Sequence, residues 1–136
     1  MATIVPTVTH IDRDTVRFTW AAMTVIDTDP GAPVVEEFDD GSPIPESFMD
    51  YVDRTVQVKG TFGADGTILI EGSNHGGTYA TLNDPQGTAL SITAAKLEQI
   101  MEVPLLMRPR LSDGEIGVSS VTVIIVARRA RSGLGV

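Results

Sequence analysis

The chain has 136 residues, no cysteine, and 18 acidic against 10 basic side chains, a formal charge of −8. That length lets one domain bury a core without disulfides or a metal, while the missing cysteines exclude thiol chemistry and the acid excess works against docking on nucleic-acid phosphates. No apolar run approaches the roughly 18 residues of a membrane span, and the N-terminus lacks a basic stretch followed by an apolar one, so neither membrane insertion nor secretion is expected.

Residues 1–13 read as an N-terminal arm, in which Ile4 and Val5 are the apolar anchors. The first clear strand is "TVRFTWAAM", where Val16, Phe18, Trp20 and Ala22 share one face and Arg17 and Thr19 the other. Met23 and Val25 fall out of phase, which predicts a bulge near Ala21–Ala22. Trp20 reads as core.

Residues 27–54 form an acidic insertion: nine Asp or Glu occur before the first base, Arg54. Its apolar residues, Phe38 and Phe48 among them, are too many for a free linker, so it is expected to pack along a surface. The strand "TVQVKGTF" follows, with Val56, Val58, Gly60 and Phe62 on one side. "GADG" reads as a hairpin turn joining it to a neighbouring strand "TILIEG". "SNHGG" predicts a second hairpin turn, "TYATL" a strand, and Asp84-Pro85-Gln86-Gly87 a type I turn before the strand "TALSI".

One helix is predicted, "TAAKLEQIM" over 93–101, with Thr93 as N-cap and Leu97, Ile100 and Met101 on one face. Extended chain resumes in "PLLMRPRL", where Pro109 marks an edge or a bulge, and "SDGE" turns it again. The closing "VSSVTVIIVARR" is the most β-prone segment; Val121, Val123 and Ile125 fill one face while Ile124 and Val126 make the other apolar too. Such a strand is buried on both sides, within the fold or against another copy. Arg128, Arg129 and Arg131 make the end basic, and residues 130–136 read as a flexible tail. These elements predict a single all-β domain over 1–136, an antiparallel β-sandwich or jelly roll with one short helix and a long acidic insertion.

Catalysis finds few candidates. His10 and His75 have no second His or Cys at ligand spacing, the paired acids Glu36–Glu37 and Asp39–Asp40 lack the calcium-loop pattern, and no nucleophile-elbow, Walker or Rossmann motif occurs. The expectation is a non-enzymatic protein with no cofactor, no metal and no catalytic residue.

The block from "TVQVKGTFGADGT" through "IEGSNHGGTY", "LNDPQG" and "VTVIIVARR", residues 55–129, resembles small β-rich head proteins of tailed bacteriophages, in which these pieces occur in the same order. The resemblance implies a capsid decoration, or cement, protein: made in the host cytoplasm, bound to the outside of the virion, partnered with the major capsid protein, and a dimer or trimer. Candidate contact residues are Ile4, Val5, Phe38, Phe48, Arg128, Arg129 and Arg131. Two other readings stand beside it. One is a head–tail joining or tail component; the other is a carbohydrate-binding sandwich, because "IEGSNHG" also looks like a strand–turn segment of discoidin-type modules.

Overall fold

Period-two alternation in four long segments decides the architecture, because each must turn one apolar row away from water. The computed structural model describes residues 3–24, 37–113 and 119–130. Its strands are β1 (Thr3–Ile4), β2 (Thr7–Asp12), β3 (Thr15–Met23), β4 (Glu37–Gly41), β5 (Asp53–Thr61), β6 (Thr67–Ser73), β7 (Ala80–Thr81), β8 (Ser91–Ile92), β9 (Lys96–Gln99), β10 (Leu106–Asp113) and β11 (Ser120–Arg128). They form two sheets. The first has the order β1-β4-β10-β6-β7, with β8 also on β6, and the second has the order β2-β3-β11-β5-β9. Every pair is antiparallel except β1 with β4.

The chain is thus an all-β sandwich, as the alternation predicts. Its core takes Val16, Phe18, Trp20 and Met23 from β3, Val56 and Val58 from β5, and Val121, Val123, Ile125 and Ala127 from β11. Ile68, Ile70, Met107 and Leu111 face them from the first sheet. Each large side chain so buried contributes about 1.5–3 kcal/mol, which makes closure of the two sheets the main stabilising event. The Trp20 indole N–H still finds an acceptor, the Ser42 carbonyl at 2.9 Å.

The bulge falls where the loss of phase places it: Val121 pairs with Met23 but Val123 with Trp20, so Ala21 and Ala22 together oppose one residue of β11. The SNHGG hairpin is also present, with Glu71 opposite Thr81. So is the next turn, where the Gly87 N–H reaches the Asp84 carbonyl at 3.0 Å.

Five readings change. First, GADG makes a cross-sheet arch: the Gly66 N–H donates to the Gly63 carbonyl at 3.1 Å, yet β5 and β6 lie in different sheets. Both edges of β5 are already taken, by β11 and β9, so β6 has no place beside it. Second, the helix over 93–101 does not form. Lys96–Gln99 is β9, paired with β5, and Leu97 is 65% exposed while Ile100 is buried. A helix of two turns is marginal on its own, and the open edge of β5 supplies long-range hydrogen bonds that outweigh local propensity.

Third, the acidic insertion is built into the fold from residue 37 onward. It supplies β4, a 3-10 turn at Glu46–Phe48, and the buried Ile44 and Tyr51; residues 27–36 lie outside the described residues. Fourth, residues 3–12 of the expected arm form strands in both sheets.

Fifth, Pro109 sits on an interior strand without a bulge, in unbroken register from Leu106 opposite Ser73 to Ser112 opposite Thr67. Ile70, its partner, spends its N–H and C=O on Leu90 and Leu82, away from β10. The ring nitrogen therefore faces β4, just past the last paired residue Arg110, where no ladder bond is required. The predicted turn SDGE and the tail beyond Ala130 fall largely outside the described residues.

Gly60 leaves β5 with φ of 127°, and a Cβ there would lie 2.4 Å from the Ser120 carbonyl oxygen. Gly87 also has positive φ, 86°, but open space around it. Gly87→Ala should therefore cost only the backbone strain, about 1–2 kcal/mol, and Gly60→Ala, which adds a clash with backbone, about 3–4 kcal/mol. Urea unfolding of the two variants measures the difference.

Candidate functional site

The stretch 71–90 carries the densest run of turn-forming polar residues, and several of their side chains hold backbone groups. Ser73 Oγ accepts the N–H of Gly76 at 2.9 Å and of His75 at 3.3 Å. His75 Nδ1 accepts the Gly77 N–H at 3.1 Å, and Asn74 Oδ1 accepts the Leu105 N–H at 3.0 Å. Asp84 is buried, and its Oδ1 holds the N–H groups of Gln86 and Thr88 at 3.0 and 2.9 Å. These side chains replace backbone partners that a tight turn leaves unmade.

Beneath this stretch, on the outer side of the first sheet, four charges interlock. Arg108 and Arg110 alternate along β10, Asp40 lies on β4 and Glu71 on β6. Arg108 contacts Glu71 at 3.3 Å and Asp40 at 3.6 Å; Arg110 contacts Asp40 at 3.5 Å and Glu71 at 3.7 Å. Tyr79 lies against the Arg108 guanidinium, 3.7 Å from its ring centroid. Charges balance within the quartet, which ties three strands together. Sequence reading missed it, although Arg-Pro-Arg in an extended segment places both arginines on one face.

Arg54 is the other charge left unread. It is 3% exposed, and its Nε donates to the Tyr51 carbonyl at 2.8 Å and its Nη2 to the Phe48 carbonyl at 3.3 Å. Burial holds its pKa below the ordinary arginine value. Its parity with Val56 and Val58 places it inside, an alternation that the acidic residues just before it interrupt.

The expected contact residues do not form one site. Ile4 and Phe48 pack against the core, Phe48 edge-on to Phe18 with ring centroids 5.0 Å apart. Val5 is 73% exposed. Phe38 is placed by its backbone alone, opposite Ser112. Arg128 is exposed, whereas Arg129 pairs with Asp14 at 3.2 Å and lies 5.1 Å from the Tyr51 ring centroid. Arg131 lies outside the described residues.

A shallow groove of about 550 Å³ opens beside Arg129, lined by Arg13, Asp14, Asp50, Val52 and Ala130. Its charges alternate in sign and it is open to solvent. Among the described residues, no three of His, Cys, Asp and Glu converge as a metal-binding set. His10 instead lies beside the Phe48 ring, with centroids 6.0 Å apart. No family model, curated protein or solved structure matches the chain.

Glu102 clamps the loop from the other side, its Oε1 accepting the Asn83 N–H and its Oε2 the Asn83 side-chain amide, both at 2.7 Å. The backbone bond from Asn83 holds the Glu102 pKa below the ordinary carboxyl value. A lowered carboxyl pKa adds stability that is complete above the unfolded-state value and disappears as pH falls through the folded one. Urea midpoints measured from neutral pH downward should show this acid-side loss shrinking in Glu102→Gln, which also starts lower at neutral pH.

Proposed function

We propose that this chain is a structural binding protein, a capsid decoration protein of a tailed bacteriophage, that clamps neighbouring subunits of the shell from outside. Its partner in this reading is the major capsid protein. One observation carries it: among the described residues, six of the eight exposed large apolar side chains gather at the two opposite edges of the second sheet, Met49 and Val52 lying instead just before β5. Val5, Val8 and Ile11 lie along or just before β2, and Leu97, Met101 and Val103 on or just after β9. Those edge strands stand four ladder spacings apart, roughly 19 Å, on a body held rigid by the core.

Two sticky edges on one rigid block suit a bridge better than a pocket suits a substrate. Binding that occurs only on the assembled lattice adds its free energy to the lattice, and repeated modest contacts gain by avidity. The resemblance of residues 55–129 to head proteins of tailed bacteriophages, carried by the serial order of their motifs, is the second support for this reading. Against a carbohydrate-binding reading, the Arg108 guanidinium already occupies one face of the Tyr79 ring.

Quantitative gel densitometry of purified particles tests the proposal. Decoration predicts a copy number that scales with the capsid protein, and an occupancy reduced by Ile11→Asp or Met101→Asp. A single ring's worth of copies per particle indicates a head–tail joining or tail component instead, and absence from particles removes both readings.

A further inference from the structure

A sheet with one face in water normally alternates apolar inside with polar outside. The second sheet breaks that rule on its middle strand. β11 buries Val121, Val123, Ile125 and Ala127 completely, yet its outward residues include Ile124 and Val126, half-buried between neighbouring strands. Register gives each one threonine and one long polar neighbour: Ile124 lies between Thr19 and Gln57, and Val126 between Thr55 and Arg17.

Charge on this face departs from that of the whole chain. Outward positions of the sheet carry three bases, Arg17, Lys59 and Arg128, against two acids, Asp12 and Asp53, in a chain whose formal charge is −8. The face is thus close to neutral, and two copies meet here with far less repulsion than a charge of −8 on each would impose. The five strands span roughly 20 Å by 30 Å, the size class of a standard interface at about 800 Å² per partner once side-chain relief is counted.

We infer that the outer face of the second sheet is a homodimer interface in which two copies stack sheet on sheet about a two-fold axis along β11. The strand order makes the face self-complementary under that operation. β11, at the centre, lies over its own mate, so Ile124 and Val126 bury each other's methyl groups. β3 lies over the partner's β5, which carries Arg17 toward an aspartate at the position of Asp53, one ladder step from Thr55. Arg128 meets its own like charge, but it ends the strand, and the roughly 30° crossing of aligned sheets separates strand ends while the centre stays in contact. The same operation lays β2 over the partner's β9 and takes Leu97, opposite Gln57 on this face, into the interface, while the outer edges of both strands stay at the sides of the dimer for the proposed shell contacts.

The test needs no capsid, so this inference and the decoration reading can fail separately. Sedimentation of the full chain over a range of concentrations should give a dimer. Ile124→Thr/Val126→Thr, a β-compatible pair on an already threonine-rich face, should weaken association at least tenfold while circular dichroism and the unfolding midpoint stay close to wild type. Because the chain has no cysteine, Ile124→Cys reports the axis directly: mild oxidation should cross-link it to its mate far faster than His75→Cys in the exposed hairpin turn. A wild-type monomer at every concentration overturns the inference. So does a dimer that Ile124→Thr/Val126→Thr leaves intact, or Ile124→Cys cross-linking no faster than His75→Cys.

Discussion

The structure depends on closing one apolar layer between two sheets. Trp20, Phe18 and Met23 on one side and Ile68, Ile70, Met107 and Leu111 on the other lose nearly all contact with water, and that burial must offset the entropy of ordering every strand. Successive strands change sheet at β1 to β2, β3 to β4, β4 to β5, β5 to β6, β8 to β9, β9 to β10 and β10 to β11. Links at both flanks therefore stitch the sandwich, β1–β2 on one side and β8–β9 on the other. Space is tight at two glycines, where a Cβ at Gly66 would meet Ser119 Oγ at 2.3 Å and one at Gly72 would meet Pro104 Cγ at 2.3 Å.

Around that layer, polar side chains serve the backbone. Ser119, itself buried, accepts the Gly63 N–H at 2.8 Å and fixes the arch. Arg54 reaches the carbonyls of Phe48 and Tyr51 and secures the segment that follows β4. The quartet of Arg108, Arg110, Asp40 and Glu71 joins β4, β10 and β6 on the outside of the first sheet. Because its arginines keep partial contact with solvent, it acts as a tie of moderate strength more than as a major source of stability. The two apolar edges and the nearly neutral face that remain outside are the surfaces the proposed contacts use.

How much of this the sequence disclosed depended on range. Signals carried by neighbours along the chain were legible: the phase slip at Ala21–Ala22, the Asp-Pro-Gln-Gly turn, the parity that buries Trp20, and the double-sided apolar pattern of β11. Pairing across the molecule was not. GADG has the composition of a hairpin turn, and only the occupation of β5 by β11 and β9 makes it an arch. TAAKLEQIM has helical propensity, and only an open strand edge makes it β9. Among the anticipated contact residues, Val5 stayed exposed while Ile4 and Phe48 were drawn to the core. Hydrophobicity alone could not separate an anchor from a core residue, because both are apolar and only packing decides which face meets water.

In the described turns, Ser73, Asn74, Asp84 and Ser119 spend their side chains on backbone N–H groups, and the shape of the turns depends on it. Urea unfolding of Ser119→Ala, Asn74→Ala and Asp84→Ala measures this most directly, since the first two each remove the acceptor of one backbone N–H and the third removes the acceptor of two. The account predicts a loss of about 1–2 kcal/mol in each variant, largest where the orphaned group is buried. Stability indistinguishable from wild type in all three would contradict it.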